Sequence, residues 1–110
     1  MTKTLVLPQV LQRRIIDEAR AAFPRECCGL LEGVRDGDAV QVHALHAARN
    51  LSCDDDHFEI DPADHFAALR SARAAARQIV GCYHSHPNGR AEPSAHDGGS
   101  EDGFVWLIAA

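Results

Sequence analysis

Two apolar runs, Cys27 to Glu32 and Ala39 to Leu45, flank the tetrapeptide Arg35-Asp36-Gly37-Asp38. Asp-Gly supplies the positive backbone angles of a tight reversal, so these residues predict a β-hairpin. Leu11, Ile15, Ala19, Ala22 and Phe23 recur at helical spacing after Pro8, with Arg13, Arg14, Asp17 and Arg20 on other faces. That pattern predicts an amphipathic helix over 9–22, ended by Pro24. Downstream, Phe58-Glu59-Ile60 reads as a short strand, and Asp61 caps a second helix with Pro62 in its first position, running to about Arg77. Ile79 to Tyr83 and Phe104 to Ile108 are compact apolar strands. The order of helix, hairpin, strand, helix, strand, loop and strand predicts an α/β sandwich in which helices cover a mixed sheet. The 110 residues suffice for one modest core, so a single domain over 1–110 is expected.

The polar stretch from Ala47 to Asp56, ending in Asp54-Asp55-Asp56, reads as a solvated loop. A formal net charge of -5 and arginines scattered along helices provide no basic face for a phosphate backbone, which argues against nucleic acid as a partner. The N-terminal apolar stretch is too short for a signal peptide, and no run approaches the roughly 20 apolar residues that span a bilayer, so no membrane role and a cytoplasmic location are expected. Cys27, Cys28, Cys53 and Cys82 form no Cys-x-x-Cys pair and are expected to be reduced and mostly buried.

Chemistry concentrates in Tyr83-His84-Ser85-His86-Pro87 and Ser94-Ala95-His96-Asp97. In an extended segment His84 and His86 point to the same side, where two imidazoles can share one ion while Ser85 faces away. A catalytic zinc takes three protein ligands and leaves one position for water. Asp97 is favoured as the third ligand and His96 is its rival, because a turn of helix opened by Ser94 can present either. Ser-x-x-Asp alone is also a helix-start signature with no metal attached. Amide hydrolysis further needs a carboxylate to carry the proton from water to the leaving nitrogen. Glu26, placed between Pro24 and the apolar run, is the best-situated acid, although an exposed glutamate at a strand start reads the same way.

Taken together, Pro24-Arg25-Glu26-Cys27-Cys28-Gly29-Leu30-Leu31-Glu32-Gly33, His84-Ser85-His86-Pro87 and Ser94-x-x-Asp97 closely resemble the JAMM (MPN+) metalloprotease family, in its stand-alone prokaryotic branch. The resemblance extends through Phe58 to Pro62, the second helix and Ile79-Val80-Gly81. It implies a cytidine-deaminase-like α/β/α sandwich with His84, His86 and Asp97 as zinc ligands and a water in the fourth position. It implies Glu26 as general base and then acid, and Ser94 as donor to the oxyanion. The reaction implied is hydrolysis of a peptide or isopeptide bond after the Gly-Gly tail of a ubiquitin-like or sulfur-carrier protein. Two other readings are a non-catalytic binding module for a ubiquitin-like protein and a DNA-repair-associated relative. The full ligand set argues against the first, and the acidic charge with Glu26 to Leu31 argues against the second. Members of the family usually carry a fuller helix after Asp97 and further elements after the last strand, and a terminal apolar strand able to pair with a second copy leaves a homodimer open.

Overall fold

The computed structural model describes residues 4–51, 59–85 and 104–109. At its centre is the expected hairpin. Strand β2 (Cys28–Asp36) pairs antiparallel with β3 (Ala39–Ala48) from Cys28↔Ala48 to Asp36↔Ala39. Gly37 turns the chain at φ 63, a conformation that side-chain-bearing residues resist. Both strands outrun their apolar stretches because the main chain makes the ladder, and it continues through Arg35, Gln41 and His46. On the other side of β2 lies β4 (Gln78–Ser85), also antiparallel. β1 (Thr4–Val6) joins β3 in parallel and β5 (Val105–Ala109) joins β4 in parallel, giving the order β1-β3-β2-β4-β5.

Helix α1 (Gln9–Ala22) buries Leu11 and Ile15 against Leu31, Val80 and Tyr83. Helix α2 (Pro62–Ala74) lays Ala68 against Leu30 and Cys82. Leu30 and Leu31, like Cys82 and Tyr83, are chain neighbours and point to opposite faces, so the two helices cover opposite sides of the mixed sheet. The result is the expected α/β/α sandwich. The buried face of α2 consists of Ala68 and Ala72, side chains small enough for close approach to the strands.

Several local expectations need correction. Phe23, assigned to the buried stripe of α1, is 66% exposed because it is the C-cap, with φ -48 and ψ 134, and its backbone has already left the helix. The strand at 58–60 is reduced to an isolated bridge between Asn50 and Ile60, with Phe58 outside the described residues. α2 stops at Ala74, short of Arg77. Ala76 takes φ 57 and the Arg77 amide donates back to the Ala72 carbonyl at 2.8 Å, a helix-ending turn that redirects the chain into β4. Asp61 caps α2 as expected, its side chain accepting from the Ala63 amide at 2.8 Å. Among the described residues no helix is long and apolar enough to cross a membrane.

Candidate active site

The strand that carries the histidine motif does not stop at Tyr83. β4 continues through His84 and Ser85, so His84 is a strand residue, paired across the sheet with Cys28 and fully buried. Cross-strand partners share a face, and Cys28, two positions before Leu30, lies on the α2 side. Glu26, just before β2, is 2% exposed. Its proximity is registered by the Cys28 thiol, pushed up to about 12 first by burial and then by Cys27, Cys82, Glu26 and Asp64. His84 thus sits beside Cys28 at one end of the α2 face, and Glu26 precedes Cys28 by two residues. The protonated Cys28 thiol is a packing group and not a nucleophile. The exposed strand-start reading of Glu26 is thereby removed.

Tyr83 locks this end of β4 from the opposite face. Its hydroxyl donates to Glu18 of α1 at 2.8 Å, and its acidity is suppressed first by burial and then by that carboxylate. The ring lies against Gly29, where an added Cβ would stand 2.3 Å from the phenol carbon. Only glycine on β2 admits the ring, and the ring fixes the residue preceding His84.

Two side chains that sequence reasoning did not single out hold the main chain at Glu26. Asn50 Nδ2 donates to the Glu26 carbonyl at 2.9 Å, and the Cys27 amide donates to Ser85 Oγ at 2.9 Å. Asn50 belongs to the stretch read as a solvated loop, and nothing local marks it. Ser85 does face away from the side of His84, as expected, and it is buried there.

At the other end of the same face lies a second buried carboxylate. Glu32 receives Arg77 at 3.0 Å and His46 at 2.8 Å. Burial taken alone is the largest influence and would raise it, but the hydrogen bonds and charges of His46 and Arg77 together outweigh it and hold the Glu32 carboxyl below its ordinary 4.5. The ladders are irregular on both sides of this residue, between Leu31 and Glu32 toward β4 and between Glu32 and Gly33 toward β3.

His86, Ser94, Asp97 and the rival His96 lie outside the described residues, as does Cys53. Among the described residues no three His, Cys, Asp or Glu side chains form a metal-holding group. The donor chemistry of the expected set nonetheless fits zinc, since two imidazoles and one carboxylate are three protein ligands of the kind a catalytic zinc accepts. His84, its described member, stands at the Glu26 end of the sheet. Cys27, Cys28 and Cys82 are free thiols, as expected.

Comparison with known proteins adds a lineage to this geometry. A family model described as prokaryotic homologs of the JAB domain matches residues 8–110. The chain is 38% identical over 90 residues to a desampylase of Haloferax volcanii, covering 79% of this chain and 63% of that relative. It is 31% identical over 107 residues to a desampylase of Pyrococcus furiosus, covering 96% and 73%. Tail tip assembly protein K of Escherichia phage N15 is 33% identical over 99 residues, covering 87% of this chain and 37% of the phage protein. Among solved structures, a protein of Desulfitobacterium hafniense matches with a TM-score of 0.75 at 37% identity, covering 86% of this chain and 63% of that one. The chain thus spans less than two thirds of the Haloferax and Desulfitobacterium proteins.

Proposed function

The chain belongs to the prokaryotic JAB-domain family, and on that footing we propose that it is a zinc-dependent isopeptidase. Its substrate is the amide bond that follows the Gly-Gly tail of a ubiquitin-like or sulfur-carrier protein. The observation that carries this reading is that Glu26 and His84, the two described residues of the family motif, are both buried where β2 begins beside the end of β4. Relatives that bear the name desampylase support the reaction class.

In this reading His84, His86 and Asp97 hold the zinc. Zinc bound there would supply Lewis acidity toward the scissile carbonyl and lower the pKa of a water to near neutral. Glu26 takes that proton and delivers it to the leaving nitrogen, and its burial keeps bulk water from competing for it. The Ser94 hydroxyl donates to the oxyanion as the carbonyl becomes tetrahedral, a contact typically worth about 3 kcal/mol in the transition state. A tail ending in two glycines suits such a site, because the absence of side chains lets the backbone approach closely.

The test is zinc content together with cleavage of a carrier protein extended beyond its Gly-Gly end. About one zinc per chain and release of the extension at that bond are expected. Zinc-replete protein that binds the carrier and never cuts it would contradict the proposal and support the non-catalytic alternative.

A further inference from the structure

A peptide unit is planar and trans, so its carbonyl and its amide point in opposite directions. In the unit joining Glu26 to Cys27, each of the two groups is met by a side chain. Asn50 Nδ2 donates to the carbonyl on one side, and Ser85 Oγ accepts from the amide on the other, both at 2.9 Å. Ser85 also returns its own amide to the Cys27 carbonyl at 3.1 Å. β2 begins only at Cys28, so the unit lies just outside the strand, where a chain ordinarily frays, yet Glu26 is 2% exposed and Ser85 4%.

The clamp is itself braced. Asn50 Oδ1 accepts from the Glu59 amide at 2.9 Å, and the Asn50 carbonyl accepts from Arg25 at 3.4 Å. The main chain closes the same junction, with the Leu51 amide donating to Glu59 at 2.8 Å and the Asp61 amide to Arg49 at 3.0 Å. Asn50 thus ties Glu26 to the segment entering α2. Ser85 ties it to the strand that bears His84.

We propose that Asn50 and Ser85 are positioning residues that grip the Glu26–Cys27 peptide from its two sides and thereby set the Glu26 carboxylate relative to His84. The inference rests on the proton-carrying role proposed for Glu26. In this assignment Ser85 does more than space two histidines in the motif: its hydroxyl joins the base to the strand that carries His84. The asparagine amide is suited to its side because it donates to the Glu26 carbonyl while accepting from Glu59; aspartate retains only the second ability.

The experiment uses the full chain loaded with zinc, in four variants: Asn50→Ala, Asn50→Asp, Ser85→Ala and Ser85→Thr. Four quantities are read: kcat and KM on a Gly-Gly carrier fusion, zinc content, and hydrogen exchange of the Cys27 amide by NMR. A displacement of the base by about 1 Å costs on the order of 10²-fold. The first three variants are therefore expected to lose roughly 10- to 100-fold in kcat, with KM and zinc content unchanged. Cys27 exchange should accelerate in Ser85→Ala, and Ser85→Thr, which keeps the hydroxyl, should restore both rate and protection. Unchanged kcat overturns the proposal, as do losses that follow zinc content or folded fraction, or Cys27 exchange unaltered in Ser85→Ala. Wild-type protein that cleaves no fusion contradicts the isopeptidase reading instead, and Cys27 exchange then decides alone whether the grip exists.

Discussion

Two glutamates are buried, Glu26 just before β2 and Glu32 within it, and they are held in different ways. Glu32 is gripped by its carboxylate, between Arg77 and His46. Glu26, equally buried, is gripped through the peptide that follows it, by Asn50 and Ser85. A carboxylate held by Arg77 on one oxygen and His46 on the other joins elements, here α2's exit to the hairpin. The one whose main chain is fixed near a buried histidine is the one proposed to carry the proton.

If that division is right, the two glutamates respond oppositely to the same substitution. Glu26→Gln is expected to reduce cleavage of a Gly-Gly fusion by on the order of 10²- to 10⁴-fold while leaving the thermal midpoint unchanged or raised, since sites built for chemistry are rarely optimal for stability. Steady-state kinetics beside a melting curve reads both. Glu32→Gln is expected to do the reverse, costing about 2 kcal/mol in urea unfolding as the negative charge and one of the two oxygens that meet Arg77 and His46 are lost, with activity per folded molecule retained. Equal effects of the two variants on activity would erase the distinction.

A smaller effect tests the same contrast through pH. The Glu32 carboxyl is held below 4.5 in the folded chain, so its stabilisation is complete above pH 4.5 and is lost as pH falls through the lower folded-state value. The stability gap between wild type and Glu32→Gln should narrow on acidification below that point, measured as urea midpoints across the range. A gap that stays constant into acid would show that the ion pairs do not carry the stabilisation.

Much of the fold was legible because its signals are local. Asp36-Gly37 marks the hairpin, the spacing of Leu11 and Ile15 marks α1, and Asp61-Pro62 marks the start of α2. β1 escaped because three residues, Thr4-Leu5-Val6, are too few to carry a period, and its pairing with β3 is a distant main-chain match. Phe23 was misplaced because periodicity continues on paper after the backbone has left the helix. Within the candidate site, His84 was singled out by residue type and spacing and Glu26 by the family resemblance, but their burial was not foreseeable from either. Asn50 and Ser85 were illegible for a different reason. Their roles exist only as pairings across 24 and 58 positions of sequence, and no neighbouring residue records them.

The most direct test of the account is a single comparison by mass spectrometry. Zinc-loaded wild type and zinc-loaded Glu26→Gln are incubated with a ubiquitin-like carrier fused through its terminal Gly-Gly to a short peptide. The account predicts that wild type releases the peptide at the bond after the second glycine, and that Glu26→Gln, with the same zinc content, leaves the fusion intact. Cleavage by both proteins at the same rate, or by neither, would contradict it.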